Sequence, residues 1–396
     1  MPVLLSIGET LPLMANNNGP VTVADLIRPT IRELSAYHVP NPGDAIKLDA
    51  MENPYAWPAE LPGELAAQWA AGLGGVALNR YPDPAADGLR AQLREWMGLN
   101  QLSNHESLDI ILGNGSDELI QLLAMAVQHP SNADAKPCIL APEPGFVMYR
   151  MIARFVAADY VGVPLAADYE LDRAAMLAAI QQHQPALIFL AYPNNPTGNL
   201  WSLEDMQAIV EAAPGLVVID EAYTAFAADS RVTWLQQYPQ LLVMRTLSKV
   251  GLAGLRLGML AGQKSWLDEL NKIRLPYNIN SLTQYSASFA LEHVEPLDQQ
   301  AASLRAERES LLAELNQRAE RVEGLQVWPS QANFLLFKTP EGQAVTIHQG
   351  LVAAGILIKK LDGSHPQLAN CLRVTVGTAA ENQAFLTELD NALGLL

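Results

Sequence analysis

The sequence is short of cysteine and short of positive charge. It has two cysteines, Cys138 and Cys371, in 396 residues. Two thiols cannot build a disulfide framework or a cysteine-based zinc site, so a reducing compartment is expected. Lys and Arg number 25 against 42 Asp and Glu, for a formal net charge of −17. That surface argues against nucleic acid and anionic membranes as partners. It also means that an anionic substrate needs a local basic pocket. No apolar run approaches the length of a bilayer span. The opening MPVLLSIGETLPL lacks a basic n-region and a sustained apolar stretch, so it is not expected to be a signal peptide. The cytoplasm is the expected location.

What is present is the balance of a globular protein, with 49% hydrophobic and 17% charged residues. The length exceeds what one core normally organises, so two domains are expected. Residues 14–20 (MANNNGP) suggest an extended arm, and Pro40–Pro62 is proline-rich and extended. From about residue 108, apolar runs alternate with helical ones. Strands are predicted at 108–114, 138–141, 160–163, 186–190, 216–219 and 241–244. Helices are predicted at 117–127, 146–155, 172–183 and 204–213. This order implies a mostly parallel sheet covered on both faces. Beyond residue 285 a charged run over 296–323 reads as an exposed helix. Strands at 334–337, 356–358 and 372–376 and a helix at 381–393 then suggest a smaller α+β domain.

Parallel sheets bind ligands beyond the carboxyl ends of their strands, so the residues there are the candidates. LVVID ends in Asp220, with Glu221, Ala222 and Tyr223 following. A carboxylate there needs a partner; a pyridinium nitrogen is one, and a helix cap with a core tyrosine is the plainer alternative. The strand at 241–244 runs into RTLSKVGLAGLRLG. Lys249 is the residue type that forms Schiff bases once its amine is neutral. Thr246, Ser248 and Arg256 are types that hold a phosphate monoester. GNGSDE (113–118) opens a helix and offers free N–H groups to an anion, or is an ordinary capped helix. AYPNNPTG (191–198) is a rigid turn, with Asn195 able to donate to a phenolic oxygen. In CLRVTVG, Leu372, Val374 and Val376 share one strand face while Arg373, Thr375 and Gly377 share the other. Arg373 suits carboxylate recognition, or lies on a solvated face.

These strings, with AMENPY (50–55), NRYPDP (79–84) and CLRVTVGT (371–378), resemble fold type I aminotransferases dependent on pyridoxal 5'-phosphate (PLP), over roughly residues 26–394. The resemblance implies an α/β fold: a large PLP-binding domain (60–290), with a mostly parallel sheet covered by helices, and a smaller α+β domain (30–59 with 291–396) after an arm (1–29). It implies Lys249 as Schiff-base lysine and proton shuttle, Asp220 on the pyridine nitrogen, and Tyr223 and Asn195 on the ring hydroxyl. Gly115, Ser116, Asp117, Thr246, Ser248 and Arg256 surround the phosphate, and Phe146 stacks on the ring. Tyr81 reaches the neighbouring subunit's cofactor, which implies a homodimer with shared sites. Arg373 takes a substrate carboxylate, Tyr37 and Asn53 line the substrate pocket, and Lys359 lies near a substrate phosphate. The nearest branch uses histidinol phosphate with glutamate or 2-oxoglutarate; an aromatic or broad-specificity aminotransferase is the alternative. Departures from the usual pattern are a turn one residue tighter between Lys249 and Arg256, Phe146 in place of tyrosine, and Lys359 in place of an arginine fork. No histidine is needed as a base, and no metal is implied.

Overall fold

The computed structural model describes residues 22–36, 41–57, 59 and 61–395. The chain divides into two compact units, Met1–Val39 and Pro40–Leu396. Within the first, the described residues form two short helices, Val23–Leu26 and Pro29–Arg32. Thr22 and Asp25 form a capping box on the first of these. The expected arm at 14–20 lies outside the described residues.

The second unit is built on two sheets. The larger has seven strands, ordered in space as Leu108–Asn114, Leu257–Gln263, Leu241–Thr246, Leu216–Asp220, Leu187–Ala191, Cys138–Glu143 and Asp159–Pro164. All run parallel except Leu257–Gln263, which is antiparallel to both its neighbours. The central strands are apolar throughout because both faces are covered. Ile188, Leu190, Val217 and Ile219 enter one core, while Leu187, Phe189, Leu216 and Val218 enter the other. Helices Gly115–Ala126, Val147–Phe155 and Lys264–Ile273 supply the second core. Asp87–Trp96, Arg173–His183, Leu203–Ala212 and Ser281–Glu292 supply the first.

Register brings the functional strand ends level. Ala191 pairs with Asp220, and Asp220 with Met244. On the far side of Leu257–Gln263, Gly113 and Thr246 both pair with Gly258. The edge strand Leu108–Asn114 is protected on its open side. Its Leu108, Ile110 and Leu112 carbonyls accept hydrogen bonds from Arg94, Arg90 and Asn278, so they offer no template for another strand.

The smaller sheet is mixed, ordered Ile46–Leu48, Ile356–Lys360, Cys371–Thr375, Phe334–Lys338 and Gln326–Val327. Leu48, Ile358, Leu372, Val374 and Phe337 enter a core with helices Ala344–Ala353 and Ala379–Leu393.

Two expectations change. The charged run is not an exposed helix: Glu295–Ala319 buries Leu297, Ala301, Leu304, Arg308, Leu311, Leu315 and Arg318 along one stripe. Arginines on that stripe disguise its apolar period. Arg308 donates to the carbonyls of Phe226 and Ala332, and Arg318 forks onto Asp390 with two 2.7 Å bonds. The strand Leu257–Gln263 is also absent from the pattern read above, because its glycines read as a turn. Gly258 is required by close approach: a Cβ there would lie 2.5 Å from the Gly115 carbonyl carbon and 2.7 Å from Ser116 N. Among the described residues no helix is long and apolar enough to cross a membrane, and both cysteines are free and buried.

Gly258→Ala is expected to destabilise the protein by about 1–3 kcal/mol, because backbone rather than a side-chain tip must give way. The check is a lower urea midpoint at unchanged slope; an unchanged midpoint would mean that the two segments separate freely.

Candidate active site

The level strand ends form the floor of a pocket. At one end sits an oxyanion cradle. Gly115 follows its strand directly and opens the helix Gly115–Ala126 with φ of +76°. A Cβ on Gly115 would stand 2.6 Å from Arg256 Nη2, so glycine lets the guanidinium close on the helix N-terminus. The Gly115 N–H itself donates to the Arg256 carbonyl at 2.7 Å. Arg256 is left-handed, at φ +52°. The Thr246 and Ser248 hydroxyls lie 2.9 Å apart. Ser116, Asp117, Thr246, Ser248 and Arg256 all line the pocket. Hydroxyls, a helix N-terminus and a guanidinium fit a phosphate monoester. Burial raises the Asp117 carboxyl, and Arg256 and Lys249 draw it back.

At the other end, Asp220 closes the strand Leu216–Asp220 and is buried. Burial pushes its carboxyl up to about 6, opposed by a hydrogen bond from Tyr149 and by the Ala222 N–H. Tyr149 donates to Oδ2 at 2.7 Å and Ala222 N to Oδ1 at 3.0 Å. Tyr149 was missed in the sequence, though it lies one helical turn beyond Phe146. The pair Asn195 and Tyr223 is joined: Asn195 Nδ2 donates to Tyr223 Oη at 3.1 Å. Arg373 Nη1 donates to Asn195 Oδ1 at 2.6 Å, and Nη2 to the Asp49 carbonyl at 3.1 Å. Arg373 is only 6% exposed, which removes the solvated-face alternative.

Lys249 lies in the π-helical turn Ser248–Leu252. Its Nζ donates to the Ala50 carbonyl at 3.2 Å and stands 5.8 Å from the Tyr223 ring centroid. Burial lowers its amine to about 8, helped by the nearby Arg373 charge. The strap over Asp49–Asn53 therefore meets both cations with consecutive carbonyls. It is itself pinned: Met51 N donates to Thr375 Oγ1 at 3.0 Å, and Asn333 Nδ2 to the Met51 carbonyl at 3.0 Å.

The remaining expected residues divide. Phe146 lines the pocket, as do Ala191, Pro193 and Met51. Lys359 stands directly opposite Arg373 in the antiparallel pair, so both point to one sheet face. Asn53 is not in that lining. Its amide reaches the Val250 carbonyl and Gln300 Oε1, and its carbonyl oxygen accepts from Tyr55 N. Those bonds hold the strap to the lysine turn and keep Asn53 out of the pocket lining. Tyr81 is not in the lining either; it is 81% exposed and stacks on Tyr277 at 4.5 Å. Tyr37 lies outside the described residues.

The cofactor implied by the resemblance has a phosphate, a ring nitrogen, a ring hydroxyl and an aldehyde. The cradle, Asp220, the Asn195–Tyr223 pair and Lys249 answer each in turn within one pocket, so these residues fit that group.

Residues 44–389 match the family of class I and II aminotransferases. A protein of Nitrosococcus oceani named histidinol-phosphate aminotransferase 2 is 52% identical over 93% of this chain and 97% of its own. The histidinol-phosphate aminotransferase of Chromobacterium violaceum is 51% identical over 93% and 98%. Among solved structures, the histidinol-phosphate aminotransferase of Sinorhizobium meliloti in complex with pyridoxal-5'-phosphate superposes with a TM-score of 0.79. It has 22% identity and covers 93% of this chain and 98% of its own. At that identity the likeness concerns the fold. The L-threonine-O-3-phosphate decarboxylase of Porphyromonas gingivalis shares the fold with a TM-score of 0.70 at 19% identity, covering 88% of this chain and 99% of its own.

The lowered amine of Lys249 has a measurable consequence. The neutral, nucleophilic form grows as pH rises through about 8. Reductive trapping of a small aldehyde on the cofactor-free protein, mapped by peptide mass spectrometry, is expected to be half-maximal near that pH at Lys249. Exposed lysines require about two units more. A Lys249 profile matching that of the surface lysines would refute the assignment.

Proposed function

The chain belongs to the aminotransferase class I and II family, and on that premise we propose that it moves an amino group between L-histidinol phosphate and 2-oxoglutarate, in L-histidine biosynthesis. It is a PLP-dependent aminotransferase with the fold type I architecture. The observation that carries the substrate choice is the pair of cations on one face of the smaller sheet, Lys359 opposite Arg373. Two cations on one sheet face suit an anionic substrate group. The shared name of relatives at about half identity supports the same choice. Lys359 supplies charge without an arginine's bidentate fork, which keeps an aromatic or broad-specificity aminotransferase as the second reading.

When bound, PLP supplies a carbonyl that captures amines and a ring that accepts an electron pair. The chain's residues do the rest. Asp220 keeps the ring nitrogen protonated. Tyr223 and Asn195 hold the ring hydroxyl oxygen, and Phe146 covers the ring face. The N–H groups at Ser116 and Asp117, with Thr246, Ser248 and Arg256, hold the phosphate, and Gly115 leaves room for the Arg256 guanidinium to close on it. Lys249 removes and returns the proton at the substrate carbon that bears the nitrogen; its lowered pKa supplies a neutral base near physiological pH. Arg373 takes the α-carboxylate of glutamate or 2-oxoglutarate, and Lys359 the substrate phosphate. Asn53 braces the strap beside the pocket.

The active form is a homodimer in this reading. The Tyr81–Tyr277 stack is exposed, and Leu78 and Leu275 are each 71% exposed; exposed apolar surface of this kind suits a partner subunit. Tyr81 then serves the partner's phosphate cradle. The two buried free thiols favour the cytoplasm.

Sedimentation of the purified protein is expected to give a dimer, and Tyr81→Asp to shift it toward monomer; a monomeric wild-type protein with full activity would exclude shared sites. The substrate test is a spectral titration. L-Histidinol phosphate is expected to bleach the yellow absorbance of the bound cofactor, and 2-oxoglutarate to restore it. A response to glutamate and phenylalanine but not to histidinol phosphate would keep the chemistry and transfer the substrate to the second reading. Lys249→Ala is expected to abolish both the bound absorbance and turnover.

A further inference from the structure

Tyr149 does not line the pocket, yet its hydroxyl is the side-chain donor on Asp220, at 2.7 Å. Both groups are buried. The Tyr149 ring lies flat on Phe189, with centroids 4.4 Å apart and planes within 4°. It also meets the ring of Phe146 edge-on at 5.5 Å. Phe189 belongs to a central strand and is fully buried, so the phenol is clamped in an apolar layer. Phenylalanine would satisfy that packing as well as tyrosine does. A hydroxyl in such a place is costly unless its hydrogen bond is used. With Ala222 N on the other oxygen at 3.0 Å, each carboxylate oxygen has its own donor, and rotation of the group is blocked. Lone pairs remain for a ligand in the pocket.

This step rests on the reading that Asp220 faces the ring nitrogen of bound PLP. On that basis the geometry points to Tyr149 as a positioning residue for the reaction: its hydroxyl keeps Asp220 charged and in a single orientation, ready for a protonated ring nitrogen. Tyr149 acts through Asp220. One helix, Val147–Phe155, with Phe146 as its N-cap, thus sets both the cover on the ring face and the partner of the ring nitrogen.

The sign follows from the neighbours of Asp220. Burial raises its carboxyl, the Tyr149 hydrogen bond lowers it, and the charges of Asp117 and Glu221 raise it again. Tyr223 faces it as well, and its phenol feels Asp220 in turn. Only the Tyr149 contribution changes in Tyr149→Phe. The charged carboxylate then persists only at higher pH, so affinity for a ligand with a protonated ring nitrogen begins to fall at higher pH as well.

The experiment is PLP binding to the cofactor-free, full-length protein, followed by absorbance across the acid and neutral range, for wild type and Tyr149→Phe. The variant is expected to bind about tenfold more weakly near the wild-type midpoint, with its acid limb moved up by about one pH unit. A PLP analogue with carbon in place of the ring nitrogen is expected to bind both proteins equally. Equal PLP affinity and a common acid limb would overturn the inference. So would an equal loss with the analogue, because Tyr149 would then serve packing alone. A wild-type protein that fails to take up PLP would instead overturn the cofactor reading, and this inference with it.

Discussion

An ionised carboxylate at the end of a fully buried strand carries a desolvation cost on the order of several kcal/mol unless it is paired. The site around Asp220 is arranged to meet that cost without neutralising the acid. Tyr149 and the Ala222 N–H each take one oxygen, yet burial still holds the carboxyl at about 6. The group is therefore stabilised only in part, and the remaining stabilisation falls to a cationic ligand. Lys249 shows the opposite case. Burial and the neighbouring Arg373 lower its amine to about 8, so a lysine is brought close to neutrality in a chain with a net charge of −17. One condition, the exclusion of water from level strand ends, sets the acid and the base in the same pocket.

Much of this was legible in the sequence because strands fully buried on both faces leave near-continuous apolar runs. LDIILGN, LVVID and the run into RTLSK each mark their own carboxyl end, and that is where the pocket lies. Arg373 was legible from period-two alternation. Other features left weaker signals. The strand Leu257–Gln263 carries glycines at the points where it touches Gly115 and Leu242, so it reads as a turn. The stripe on Glu295–Ala319 includes Arg308 and Arg318, whose charge conceals the helical face they share. Tyr149 reads as a core aromatic at helical spacing; only the fold brings its hydroxyl to Asp220, 71 residues later. The Asn53 amide reaches Val250 and Gln300, contacts that its motif in the sequence does not announce.

The strap at Asp49–Asn53 links the two sheets. It passes between the lysine turn and the Arg373 strand. The Asp49 carbonyl accepts from Arg373, the Ala50 carbonyl from Lys249, and the Met51 carbonyl from Asn333. The two cations, Arg373 and Lys249, are thus measured off against adjacent peptide units, at a spacing fixed by covalent geometry. Met51 holds φ of +53°, a conformation that costs a non-glycine residue energy, and it does so where the strap lines the pocket.

These contacts use peptide groups, and the genetic code does not write peptide groups. A changed side chain at Asp49 or Ala50 leaves the same two carbonyls to address the same cations. Chain length is what they cannot survive losing. Deleting one residue would slide each carbonyl past its partner by the 3.8 Å between neighbouring Cα atoms, more than a hydrogen bond can span. At Asp49 and Ala50 the contacts therefore depend on the count of residues more strictly than on which side chains those residues carry.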